Sequence, residues 1–129
     1  MKKLLGIILC TVLGGTLAPA APLSDSDKQF LARYEKVRSA LAADDLASAK
    51  TAAGDLGDDG AALSKSNSLK EARLAFDKLS EKAKQLADGQ SGYYIVNCPM
   101  VKKDWVQTSQ TIGNPYYGKQ MLSCGEIKK

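Results

Sequence analysis

The chain contains no histidine. That absence removes imidazole general bases, Ser-His-Asp and Cys-His nucleophile systems, and every histidine-containing metal site. Aromatic residues make up only 6%, and the formal net charge is a mild +4, which gives no case for nucleic acid as a partner. Beyond the first residues no apolar run is long enough to cross a bilayer. What is present is ordinary for a folded domain. The chain has 129 residues, 44% hydrophobic and 25% charged, enough for one domain and close to the globular average. No nucleophile with a general base can be assembled from the spacing, and no Cys-x-x-Cys occurs. The expectation is therefore a protein that is not an enzyme.

Residues 1–20 have the pattern of a secretory signal peptide. Met1-Lys2-Lys3 is a basic start, Leu4 to Leu17 is apolar, and Ala18-Pro19-Ala20 supplies small residues before a cleavage point at Ala21. Leu9 is bulky where a lipoprotein signal needs a small residue, so Cys10 is expected to leave with the leader. The expected location is periplasmic or secreted, with no membrane span once the leader is cleaved. Removing Lys2 and Lys3 leaves 16 basic against 14 acidic residues, a net charge of +2. All the sulfur of the mature chain then lies in Cys98, Met100, Met121 and Cys124.

Residues 24–89 carry a helical period. Phe30, Tyr34, Val37 and Leu41 form one apolar stripe, Leu46, Ala49, Ala53 and Leu56 a second, and Leu69, Ala72, Phe76, Leu79, Ala83 and Leu86 a third. Ser26 with Gln29 and Ser68 with Glu71 fit capping boxes, Asp44 can cap the second helix, and Gly89 can stop the third. Short helices with alanine-rich stripes must pack on one another. The expected fold is all-α, a small three- to four-helix bundle forming a single domain over 21–129. Residues 90–129 form an irregular C-terminal motif segment with room for short strands.

In that segment the helical period stops. Five of the eight aromatics lie between Tyr93 and Tyr117. Tyr93 to Val96 and Trp105 to Thr108 are strand-like. Asn114-Pro115-Tyr116-Tyr117-Gly118 has turn chemistry, and Lys119 to Cys124 fits one or two helical turns. Trp105 is expected to be core. Arg73 and Ser80 share a face of the third helix and can tie it to the tail. Lys102-Lys103 and Lys128-Lys129 are expected on the surface. Asp55 to Gly60 partly matches a calcium loop but has Gly57 and Ser66 where positions three and twelve need ligands, so it is expected to be an acidic turn.

The four sulfurs support two readings. Cys98-Pro99-Met100 sets a thiol and a thioether two residues apart, and Met121-Leu122-Ser123-Cys124 repeats the pairing at i and i+3. If the pairs meet, thiolates and thioethers without imidazole or carboxylate select copper(I) or silver(I). Alternatively, two cysteines in an exported protein form a disulfide. Closing this loop is worth about 3.5 kcal/mol in the chain-entropy picture, giving a disulfide-stabilised interaction module without metal. Both readings need Cys98 and Cys124 close together.

The strings Tyr94-x-x-x-Cys98-Pro99-Met100, Trp105-x-Gln107 and Ile112-x-Asn114-Pro115-Tyr116-Tyr117-Gly118-x-x-Met121-Leu122-x-Cys124-Gly125 resemble an exported domain family of unassigned function. That family is found free-standing and on periplasmic adaptor subunits of copper/silver-type heavy-metal efflux pumps. Arg73-x-x-Phe76-x-x-Leu79-Ser80 resembles its third helix, so the likeness covers roughly residues 27–126. The resemblance implies a periplasmic helical domain linked to copper or silver handling, as chaperone or accessory to efflux. It implies efflux-pump components as partners and Cys98, Met100, Met121 and Cys124 as the metal positions.

Overall fold

The computed structural model describes residues 21–128. The expected signal peptide and Cys10 lie outside the described residues. Four helices follow in order, α1 (Asp25–Ala42), α2 (Leu46–Gly54), a short α3 (Ala61–Ser64) and α4 (Leu69–Ala87). Three strands come after them, β1 (Tyr94–Cys98), β2 (Lys103–Gln107) and β3 (Glu126–Ile127). The expectation of an all-α fold is therefore corrected to a mixed one, in which helices dominate and pack against an antiparallel sheet of order β2-β1-β3. The physical reason lies in composition. Tyr-Ile-Val in β1 and Trp-Val in β2 fit a pleated, half-buried surface. β1 and β2 also pair along their whole length, with Tyr94 opposite Gln107 and Cys98 opposite Lys103. Among the described residues no helix is long and apolar enough to cross a membrane.

The helices start where side chains can accept their free N–H groups. Ser24 caps α1 by accepting from the Asp27 N–H at 3.1 Å, and Asp45 caps α2 by accepting from the Ser48 N–H at 3.0 Å. These replace the expected Ser26 and Asp44. Asp44 instead adopts φ +56° and lends its carboxylate elsewhere. Ser68 caps α4 as expected, accepting from the Glu71 N–H at 3.1 Å, and Glu71 reaches back to the Asn67 N–H. A 3-10 turn over Gly57–Gly60 leads into α3. That turn brings Leu63 into the core, from a stretch too short to show a period.

The apolar stripes of α1 and α4 face each other. Phe30, Tyr34 and Phe76 stack with centroids 6.3 and 5.0 Å apart, and Tyr116 meets Phe76 edge-on at 5.7 Å. Trp105 then meets Tyr116 at 6.2 Å. This run of rings carries the helical core continuously into the tail, each contact adding to the plain burial of area. Polar atoms inside the run are paired. The Tyr34 hydroxyl contacts Ser80 Oγ at 2.9 Å and accepts from the Val106 N–H, and the Tyr116 hydroxyl donates to Asp77 at 2.8 Å. Burial in this setting pushes both phenols well above the ordinary tyrosine range.

Candidate functional site

The tail is pinned before it reaches the sulfurs. Arg38 on α1 donates to the Gly113 carbonyl at 2.8 Å, and Arg73 on α4 donates to the Pro115 carbonyl at 2.8 Å and the Leu41 carbonyl at 3.0 Å. Arg73 also pairs with Asp44 at 2.6 Å, and the other Asp44 oxygen accepts from the Lys119 N–H at 3.1 Å. Gly118 sits against this group at φ +61°, where a Cβ would lie 1.9 Å from Asp44 Oδ1. Any other residue would strain the backbone and push the Asp44–Arg73 pair aside, so glycine is favoured.

Two buried amides organise the rest. Gln107 accepts from the Trp105 indole N–H at 3.0 Å and donates to the carbonyls of Ser109 and Thr111. Asn114 turns the chain. Its side-chain oxygen accepts from the N–H groups of Tyr116 and Tyr117, at 2.8 and 3.0 Å. Its amide donates to the Cys124 carbonyl at 2.9 Å, and its own N–H donates to the Leu122 carbonyl at 2.8 Å. The expected turn over 114–118 is therefore present and closes back onto the segment that carries Cys124. Sequence reasoning placed Asn114 only as a turn opener. The signal for more was its combination with Pro115 and Gly118, a set that fixes both ends of one turn.

This closure brings Cys98 and Cys124 together, with their sulfurs 2.7 Å apart. Cys98 is buried and Cys124 half-buried. The β1–β2 turn that begins at Cys98 aims backbone N–H groups at the pair. Those of Met100 and Val101 face the Cys98 sulfur, with the Asn114 side chain beside them, and that of Met100 also faces Cys124. The thioethers are placed differently. Met100 stands 63% exposed on the same turn, and Met121 is half-buried at the end of the 3-10 turn Gly118–Met121. Of the predicted four-sulfur set, the structure thus brings the two thiols together. Gly125, next to Cys124, lets the chain pass within 2.9 Å, measured from an added Cβ, of Val96.

No family model, curated protein or solved structure matches the chain. The functional reading consequently rests on the geometry and on the sequence resemblance.

Electrostatics make the two thiols unequal. Burial opposes the Cys98 thiolate, but the Cys124 thiol, the Val101 and Met100 N–H groups and the Asn114 side chain outweigh it and hold its pKa below the ordinary thiol range. Cys124 is pushed up, first by its hydrogen bond to Cys98 and then by desolvation and the neighbouring charge. The pair titrates as a unit, with one proton leaving early and the second late. In the reduced protein, stability linked to Cys98 is absent at low pH. It appears as pH rises through the depressed folded value and is complete above the unfolded value of about 8.5. Cys124 acts in the opposite sense, removing stability as pH rises beyond about 8.5. Urea unfolding of the reduced protein should therefore show a thiol-dependent stability maximum near that pH. A variant carrying both Cys98→Ser and Cys124→Ser should lack it.

Proposed function

We propose that the protein is an extracytoplasmic soft-metal-binding module that takes copper(I) or silver(I) on its reduced Cys98–Cys124 pair, as chaperone or accessory to metal export. The observation that supports this reading most is the convergence of the two sulfurs, 2.7 Å apart, in a turn whose N–H groups face them. Such donors stabilise a thiolate, and thiolate is the form that binds metal. With no histidine in the chain, the donor set is sulfur alone, which suits monovalent copper and silver. By the sequence resemblance, the thioethers of Met100 and Met121 would complete the set. Two ligands of one ion stand farther apart than these sulfurs, so binding requires the tail at Cys124 to draw back from Cys98. The efflux-pump components named as partners follow from the sequence resemblance.

The same short separation favours a second reading, a disulfide-stabilised exported interaction module without metal, because a bridge needs a closing movement to a bond of about 2.05 Å and a two-electron oxidation, with loss of both thiol protons, by a disulfide oxidant of an oxidising compartment. A thiol count on native protein, with and without reductant, separates the two. The metal reading expects two free thiols in native protein without reductant and competition with a chromogenic copper(I) chelator, whereas no thiols until reductant is added argues for the bridge. Cys98→Ser or Cys124→Ser should then weaken binding by at least about 100-fold, since losing a ligand outweighs the roughly 10–100-fold cost of losing an outer-shell partner. Met100→Leu with Met121→Leu should weaken it less and leave folding nearly intact, because volume is conserved. Fully reduced protein that does not compete for copper(I) would leave the bridge as the role of the pair.

A further inference from the structure

One side of α4 is left as the floor of a groove. Lys70, Leu74, Asp77, Glu81 and Lys84 follow one another at helical spacing along it. The β1–β2 hairpin forms the opposite wall through Lys102, Lys103 and Asp104, with Lys128 beside them and Tyr116 at the far end. Two cavities of about 640 and 320 Å³ lie along this floor and share Asp77 and Lys103 as a common wall. From Lys70 to Lys84 the helix rises roughly 21 Å, the span of about six residues of extended chain.

The charge of the protein is unevenly spread toward this groove. With Arg73, six cationic side chains and three carboxylates line it, a surplus of three, of which Arg73 is already paired with Asp44 and two remain. Fifteen cationic side chains and fourteen carboxylates lie in the described residues as a whole, so the remainder carries an excess of two negative charges. The groove's carboxylates are already engaged. Asp77 pairs with Lys103 at 2.7 Å, Glu81 with Lys84 at 2.8 Å, and Asp104 with Lys84 and Lys128, each at 3.5 Å. Among the described residues Lys70 and Lys102 have no carboxylate partner. Lys102 is held at φ +55°, a conformation that favours glycine or asparagine. A lysine is thus kept where the backbone prefers another residue, the kind of local strain that collects at functional positions. Leu74 is 65% exposed, an uncovered large apolar side chain within a ring of cations.

We infer that this groove is a docking site for an extended acidic segment of a partner protein, about six residues long, with one apolar side chain resting on Leu74. Lys70 and Lys102 supply the unpaired charge at the two ends, and the Lys103–Asp77 pair sits between them as a polar seat for the segment's backbone. Charge complementarity selects this occupant. A nucleic acid is disfavoured because the described residues carry fifteen cationic and fourteen acidic side chains, too even a balance for binding led by a phosphate backbone, and a second copy would bring a nearly neutral chain to a cationic groove. The inference stands apart from the metal reading.

The test uses a fluorescein-labelled six-residue peptide of glutamates flanking one leucine, with lysine in place of glutamate in the control, read by fluorescence anisotropy. The acidic peptide should bind and the lysine peptide should not. Lys70→Glu with Lys102→Glu should weaken binding at least about tenfold, whereas Lys28→Glu with Lys65→Glu, on other faces, should change it less than about threefold, the level expected from long-range charge alone. Leu74→Ser should weaken binding at least about threefold with no change in its salt dependence, as loss of an apolar contact requires. Equal losses from both charge reversals, or no binding of the acidic peptide, would overturn the inference. So would a dimer in sedimentation that Lys70→Glu with Lys102→Glu dissociates, because the occupant would then be a second copy.

Discussion

Trp105→Ala is expected to cost at least about 3 kcal/mol, the usual range for truncating a fully buried aromatic. The reasons for a large value are specific. Trp105 is fully buried and ends the run of rings that begins at Phe30. Its indole N–H is tied to Gln107, which holds the carbonyls of Ser109 and Thr111 and accepts from the Gly113 N–H at 3.3 Å. Removing the ring leaves a cavity and frees part of the bonding capacity of a buried amide. Val96, opposite Trp105 in the sheet, and Gly125, within 3.1 Å of the indole if given a Cβ, lose the same neighbour. The segment carrying Cys124 should therefore loosen although no ligand has been touched. A domain of this size loses roughly 4–8 °C of Tm per kcal/mol, so the fall should exceed about 12 °C. Urea unfolding and thermal melts of the reduced protein check this. Trp105→Phe, which keeps a ring but not the donor, should lie between the two.

Much of the helical half is legible because its period is long. Phe30, Tyr34, Val37 and Leu41 are all buried, as are Ala72, Phe76, Leu79 and Ala83. A stripe repeated over several turns survives small errors of phase. Helix ends are read less well. Ser24 and Asp45 cap α1 and α2 where Ser26 and Asp44 were expected, since neighbouring residues of equal capping ability differ only in where the chain arrives. α3 is too short to show a period. The sheet is the larger correction. Its strands have five, five and two residues, and short strands without clean alternation carry little signal until a helix face exists to receive them. At the site, the meeting of Cys98 and Cys124 is legible as a shared requirement of both sulfur readings. The role of Gln107 is not, and that of Asn114 only as far as the turn it opens, because an amide that satisfies several irregular backbone groups leaves no periodic trace.

Asn114→Leu should be strongly damaging, and it should act on the thiols as well as on stability. The side chain is fully buried. Leucine keeps its bulk but can neither accept from the N–H groups of Tyr116 and Tyr117 nor donate to the Cys124 carbonyl. Each buried group left unpaired costs about 1–3 kcal/mol, so for three groups a total of at least about 3 kcal/mol is expected. The change also removes a donor from the Cys98 thiolate, which should return the first thiol pKa toward the ordinary value of about 8.5. Asn114→Asp is the informative companion. It keeps both acceptor bonds and loses the donor, so it should retain more stability than Asn114→Leu. Its negative charge beside Cys98 should nevertheless raise the thiol pKa further than leucine does. Stability from urea unfolding and thiol ionisation from the pH dependence of alkylation should thus rank these two variants in opposite orders. A common ranking in both measurements would mean that Asn114 shapes the turn without acting on the sulfur.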